Sequence, residues 1–159
     1  MSPATDDRPS TFPWPPVLLA GAVAVALLLE WLLLPLPVPF AETQPVHFAG
    51  MLMVLAGAVL IVWSALEFRR HRTSIRPDRG SDALLLTGPF AFSRNPIYLG
   101  DAMLLAGAGI TFNKLWLALL VAPFIVLVSK LAIEREEAYL ERRFGVAYHD
   151  YLSRVRRWL

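Results

Sequence analysis

Two short stretches carry residue types able to bind and orient a charged ligand. The first is Thr87-Gly88-Pro89-Phe90-Ala91-Phe92-Ser93-Arg94-Asn95-Pro96-Ile97-Tyr98. Asn95-Pro96 is a helix-start signature, with asparagine at the cap and proline in the first turn. The helix opening there turns its positive dipole end toward the loop. Such an end, beside the forked donors of Arg94, suits a carboxylate or phosphate. Tyr98, one turn on, falls on the same face as Arg94. The same residues also describe a well-capped helix with a snorkelling arginine. The second stretch is Glu134-Arg135-Glu136-Glu137, with Glu141 a turn later. Taken alone it is an ion-paired helix extension. If its helix end lies beside the first stretch, a cationic end faces an anionic one, an arrangement suited to a zwitterion.

Two further carboxylates, Asp101 and Glu30, interrupt apolar blocks. Ionisable groups there are expensive and are functional candidates by default. Asp101 falls about a turn and a half into its helix, within reach of water; Glu30 is near a helix end and able to reach the interface. His47 and His149 are lone histidines, read as non-catalytic, and His71 belongs to a basic run. The chain has no cysteine, which excludes disulfides, thiolate metal sites and a cysteine nucleophile. No metal cluster, nucleotide-phosphate loop or nucleophile triad is visible.

The elements that must position these groups are apolar. Of 159 residues, 56% are hydrophobic and 18% charged, with a mean hydropathy of +0.50; soluble domains are nearer a quarter charged. Apolar residues fall in blocks at 17–34, 46–66, 96–112 and 115–133, each near the length that crosses a bilayer as a helix. The expected fold is all-α: one domain over 17–159, a bundle of four transmembrane helices, after a polar, proline-rich lead-in over 1–16. Asp6 and Asp7 in that lead-in argue against a cleaved signal peptide. The last two spans are joined by Asn113-Lys114 alone, a tight antiparallel hairpin. Every lysine and arginine except Arg8 and Lys114 lies between spans two and three or from Lys130 onward. The positive-inside rule makes that side cytoplasmic, with both termini there. Anionic lipid headgroups, rather than nucleic acid, are the expected partners of this charge. Gly50 and Gly57, and Gly100 and Gly107, lie seven apart on one helix face each, where small residues allow close packing. Glu67–Asn95 is expected as a folded loop at the cytoplasmic surface. Phe144-Gly145 is a helix stop, and Tyr148, Tyr151, Leu152, Val155 and Leu159 form one face of an interfacial amphipathic helix.

The chain resembles the isoprenylcysteine carboxyl methyltransferase family, integral membrane methyltransferases related to phospholipid N-methyltransferases. The likeness runs from about Arg72 to Leu159 and rests on an ordered set: Leu84-Leu85-Leu86-Thr87-Gly88-Pro89-Phe90, Arg94-Asn95-Pro96-Ile97-Tyr98-Leu99-Gly100, Glu136-Glu137, then Phe144-Gly145 with Tyr148, Tyr151 and Val155. It implies a cytoplasm-facing S-adenosylmethionine pocket lined by Leu84, Leu85, Phe90, Arg94, Asn95, Pro96, Ile97, Tyr98 and Glu136. Two positions depart from the family. Asn95 stands where histidine is common, and Ala132 where the eukaryotic enzymes use a substrate arginine. The second argues against a prenylcysteine substrate and leaves the cofactor site intact. In this reading Arg94 and the helix start hold the cofactor's carboxylate, Glu136 its ammonium or ribose hydroxyls, and Tyr98 or Phe90 faces the sulfonium. Arg94, Tyr98 and Glu137 are the expected catalytic set, with Glu137 or Asp101 as base for an amine acceptor. The expected function is methyl transfer to an amphiphilic or lipid-like acceptor, a carboxylate favoured, at the cytoplasmic face of a bacterial inner membrane. The alternatives are an NADPH-dependent membrane reductase of the sterol-reductase kind and a non-enzymatic membrane scaffold.

Overall fold

The structure, a computed structural model, describes residues 15–33, 35–71 and 84–159. Most of the lead-in therefore lies outside the described residues, as do Arg72, Arg76, the Pro77-Asp78-Arg79-Gly80 segment and Ala83. The elements are α1 (Pro15–Leu32), α2 (Gln44–Arg70), a 3-10 turn (Gly88–Ala91), α3 (Pro96–Thr111), α4 (Leu115–Leu119), α5 (Val121–Val128), a π turn (Ser129–Ile133), α6 (Glu134–Phe144) and α7 (Val146–Arg154). There is no strand among the described residues.

Two helical stretches are long and apolar enough to cross a membrane: α2, and Leu115–Phe144, formed end to end by α4, α5, the π turn and α6. The apolar stretch of α1 and the whole of α3 are shorter. Large apolar side chains cover the outward faces of α1 and α2, among them Leu28, Trp31, Leu55, Val59 and Val62. α2 outruns the expected span by a turn, to Arg70, with Arg69 and Arg70 in its last turn, where cations complement the helix dipole.

The last apolar block, 115–133, is not the uniform helix that its composition suggests. Pro123 lacks an N–H and its ring crowds the carbonyl four residues back; the helix is interrupted there, between Leu119 and Val121. Further on, the Glu134 N–H donates to the Ser129 carbonyl, five residues back. That π turn inserts one extra residue, so every side chain of α6 is rotated relative to a continuous α-helix. The carboxylates of Glu136 and Glu137 owe their direction to it.

α2 and α3 pack along their glycines. A Cβ on Gly57 would stand 2.7 Å from the Gly100 carbonyl oxygen, one on Gly100 2.8 Å from that of Gly57, and one on Gly107 2.8 Å from that of Gly50. The small-residue faces read from the sequence are thus the seam of an antiparallel pair. α1 lies against α4 and α5, where Ala26 joins Tyr98, Ala102, Leu105, Leu117, Phe124, Val128 and Ile133 in the main core.

The 113–114 hairpin is as expected, and it is tied from outside. Asn113 has φ 54°, and its Oδ1 accepts the Val38 N–H at 2.7 Å. The Leu115 N–H donates to the Leu36 carbonyl at 2.9 Å, and Lys114 pairs with Glu30. Glu30 is therefore a structural ion-pair partner at the end of the bundle opposite Arg94. Asn113→Ala removes both a residue tolerant of positive φ and an acceptor for a loop N–H. It is expected to cost about 1–3 kcal/mol, read as a lower midpoint of thermal unfolding in detergent.

Candidate functional site

The site is assembled where the start of α3, the first turn of α6 and the end of the chain meet. The Ser93 hydroxyl oxygen accepts the Asn95 N–H at 3.2 Å. The Arg94 N–H donates to the Arg156 carbonyl at 3.0 Å. Asn95 occupies the cap position of α3, but its side chain makes no capping bond. Its Nδ2 donates instead to the Arg157 carbonyl at 3.0 Å. The capping role expected of this side chain is thus replaced by a tie to the last residues of the chain, 62 positions away. Pro96 at the first helical position is fully buried.

Arg94 reaches across to α6. Its Nη1 is 3.1 Å from Glu137 Oε1, with both side chains mostly buried. Glu137 is held from the other side by Arg157, whose Nε donates to Oε1 at 3.1 Å and Nη2 to Oε2 at 2.5 Å. The Arg94 Nε is buried and has no hydrogen-bond partner. Tyr98, 6% exposed, stands close enough to Glu136 and Asp101 to feel both charges. Tyr148 lies within hydrogen-bonding reach of Arg94 and beside Glu136 and Glu137. The two charged stretches are therefore neighbours. Arg94 contacts the second glutamate of the pair directly, while the first stands by Tyr98.

The remaining expected residues surround this centre more loosely. Leu85 is buried and Ile97 half-buried. Leu84 packs on the cluster of Tyr148, Tyr151 and Val155. The Phe90 ring meets Phe68 of α2 edge-on, 5.3 Å between centroids at 84°, and its carbonyl accepts the Tyr151 hydroxyl at 2.7 Å. Tyr148, Tyr151 and Val155 of the expected apolar face are thus turned onto Leu84, Leu140 and Phe144 rather than outward to an interface, while Leu159 of the same stripe is exposed. Asp101 is buried, not the water-reached group its position suggested. Ala132 falls within the π turn, beside the main core. His149 pairs with Glu141 at the exposed surface. Among the described residues, no group of three or more His, Cys, Asp or Glu is placed to hold a metal ion.

Three participants escape a reading by residue type alone. Tyr148 counts as part of an apolar stripe and Arg157 as a flanking charge, and only the folded tail brings both to Glu137. The third is Glu67, buried at the end of α2. Its Oε1 accepts the Thr87 hydroxyl at 2.5 Å, and Arg70 lies 3.7 Å from Oε2. It thereby holds the turn leading to Arg94. Gly88 in that turn has φ 60°, and a Cβ there would stand 3.1 Å from Glu67 Cδ, so only glycine fits without strain.

Burial, with the Glu137 carboxylate adding to it, pushes the Tyr148 phenol up to about 12, against the pull of Arg94. Burial also pushes Tyr151 above the ordinary tyrosine range, as does Tyr148 beside it. Both are neutral hydroxyls at physiological pH. Because the folded-state value of Tyr148 is raised above the usual 10, its stabilising contribution is whole below pH 10 and lost as pH climbs through about 12. A difference titration of wild type against Tyr148→Phe should show the Tyr148 phenolate absorbance only near pH 12. Ionisation of Tyr148 near pH 10 in the folded protein would contradict this placement.

Comparison with known proteins adds an independent line. The phospholipid methyltransferase family matches residues 45–147, from the start of α2 into α7. A Haemophilus influenzae protein described as uncharacterized is 46% identical over 44 residues, 28% of this chain and 67% of that protein. The nickel-cobalt-cadmium resistance protein NccN of Alcaligenes xylosoxydans xylosoxydans is 30% identical over 106 residues, 67% of this chain. The aligned part amounts to 46% of that protein's length. The family match takes in Arg94, Tyr98, Glu136 and Glu137 and points to methyl transfer rather than to the reductase or scaffold readings. With apolar helices fit to cross a membrane and a match over most of its length, the chain belongs to the phospholipid methyltransferase family, integral membrane methyltransferases related to the isoprenylcysteine carboxyl methyltransferases.

Proposed function

We propose that the chain transfers a methyl group from S-adenosylmethionine to an amphiphilic, lipid-like acceptor at the cytoplasmic face of a bacterial inner membrane, a carboxylate being the favoured accepting group. One observation carries the reading: Arg94 meets Glu137 across the α3–α6 junction, with Glu136 beside Tyr98, while the buried Arg94 Nε has no partner. A buried donor without an acceptor is costly. A cationic one beside carboxylates fits a ligand that carries a carboxylate and an ammonium together.

Arg94 and the first turn of α3 hold the donor's carboxylate, helped by the dipole of the 16-residue helix. Glu136 takes the ammonium or the ribose hydroxyls. Tyr98 faces the sulfonium; Phe90, the other aromatic candidate, has its ring packed on Phe68. Leu84, Leu85, Asn95, Pro96 and Ile97 complete the wall. When bound, the donor supplies an electrophilic methyl group on a sulfonium. The protein's part is to orient it and keep water out, worth up to about 7–11 kcal/mol in ideal cases. A carboxylate acceptor needs no base. An amine acceptor does, and Asp101 beside Tyr98 serves better than Glu137, which two arginines already hold. Placing this site at the inner surface, in a bundle of four spans with both termini cytoplasmic, is supported by the concentration of basic residues on that side, Lys114 being at the other end.

The test is incubation of detergent-purified protein with methyl-labelled S-adenosylmethionine and a total lipid extract. Label is expected in an amphiphilic product. Absence of transfer to any lipid fraction from a protein that still binds the donor would refute a lipid-like acceptor.

A further inference from the structure

Beyond α7 the last residues run back across the site as a strap. Val155 is extended, at φ −123° and ψ 130°. The carbonyls of Arg156 and Arg157 accept from the Arg94 N–H and from Asn95 Nδ2. Trp158 packs against the main core. Arg157 is thereby fixed, and its guanidinium takes both oxygens of Glu137. This residue lies beyond the stretch matched by the family, which ends at 147.

Glu137 has two arginines to choose between. Arg157 engages it through two bonds, Arg94 through a single contact from Nη1 to Oε1. Two parallel bonds are the stronger and more directional arrangement. If Glu137 turned fully onto Arg94, it would cover the fork that the donor's carboxylate needs. We infer that Arg157 is a positioning residue of this site: by holding Glu137 two-handed, it keeps that carboxylate from capturing Arg94 and leaves the unpartnered Arg94 Nε to a ligand carboxylate. The inference rests on the reading above, in which Arg94 receives the donor.

A mere staple for the tail would be weakened by loss of either partner. The positioning role predicts instead that removing the Glu137 charge repairs the loss of Arg157. The experiment is binding of S-adenosylhomocysteine to the detergent-purified full chain, by calorimetry, for wild type, Arg157→Ala, Arg157→Lys, Glu137→Gln and the double variant Arg157→Ala/Glu137→Gln. Arg157→Ala should raise Kd about tenfold. Arg157→Lys, which keeps the charge but not the fork, should fall between. The double variant should bind within about threefold of Glu137→Gln alone, a coupling that neither single change shows. If Arg157→Ala does not fold, the Lys and double variants carry the same comparison. Wild-type binding with Arg157→Ala unchanged, or a loss that Glu137→Gln does not relieve, overturns the inference alone. Failure of the wild type to bind overturns the proposed function and this inference with it.

Discussion

Arg94→Ala is expected to lower kcat/KM for the methyl donor by at least about a hundredfold, roughly 2.7 kcal/mol of lost stabilisation. The guanidinium stands between the α3 start and Glu137 of α6, and its buried Nε awaits an acceptor. Alanine keeps the backbone N–H that donates to Arg156, and Arg157 still neutralises Glu137, so the fold should survive. Arg94→Lys restores the charge but cannot supply the fork or the Nε donor, and only a small part of the activity should return. The check is donor saturation kinetics beside thermal unfolding of each variant. An Arg94→Ala protein with wild-type donor affinity would remove the arginine from the site.

The second large effect concerns the frame. Gly100→Leu should destabilise the protein by about 3 kcal/mol or more, at or beyond the upper end for overpacked cores. The first atom of any side chain at 100 would stand 2.6 Å from Ile61 Cγ1 and 2.8 Å from the Gly57 carbonyl oxygen. A backbone carbonyl cannot step aside as a flexible side chain can, so α2 and α3 must separate. Function should fail with stability. Arg94 leads into α3 and Tyr98 lies in its first turn, while α2 carries the Glu67 that holds the Thr87 turn. Gly21→Leu is the matched control, since nothing lies within 4 Å of a Cβ there; it should unfold within a degree or two of wild type. Equal unfolding midpoints for Gly100→Leu and Gly21→Leu in the same detergent would contradict the glycine seam.

These two predictions also mark what could be read before folding and what could not. Gly57 and Gly100, the Asn95-Pro96 helix start, the two-residue hairpin at 113–114 and the stop at Gly145 are local signals. Each depends on backbone freedom or steric bulk within a turn or two, and each appears where its residues place it. The juxtaposition of Arg94 with the glutamates was legible for a similar reason, because a short hairpin forces the far ends of its helices together. What was not legible depends on partners far along the chain. Asn95 has a sequence partner for capping at hand, yet its amide goes to the Arg157 carbonyl. The stripe Tyr148, Tyr151, Val155 announces an apolar face without saying whether lipid or Leu84 will cover it. Glu67 looks like the edge of a basic loop because its acceptor role appears only when Thr87 comes back to it. The π turn leaves no mark in a stretch such as Ser129-Lys130-Leu131-Ala132-Ile133, although it sets the direction of Glu136 and Glu137.

The most direct test of the central claim is a thermal-shift titration of the detergent-purified chain with S-adenosylhomocysteine and, separately, with NADPH. A ligand at a hundred times its Kd stabilises the folded state by about 2.7 kcal/mol. The account predicts a saturable rise in unfolding temperature with S-adenosylhomocysteine that Arg94→Ala and Glu136→Ala abolish, and no rise with NADPH. Stabilisation by NADPH instead, or a response to S-adenosylhomocysteine that both substitutions leave intact, would contradict it.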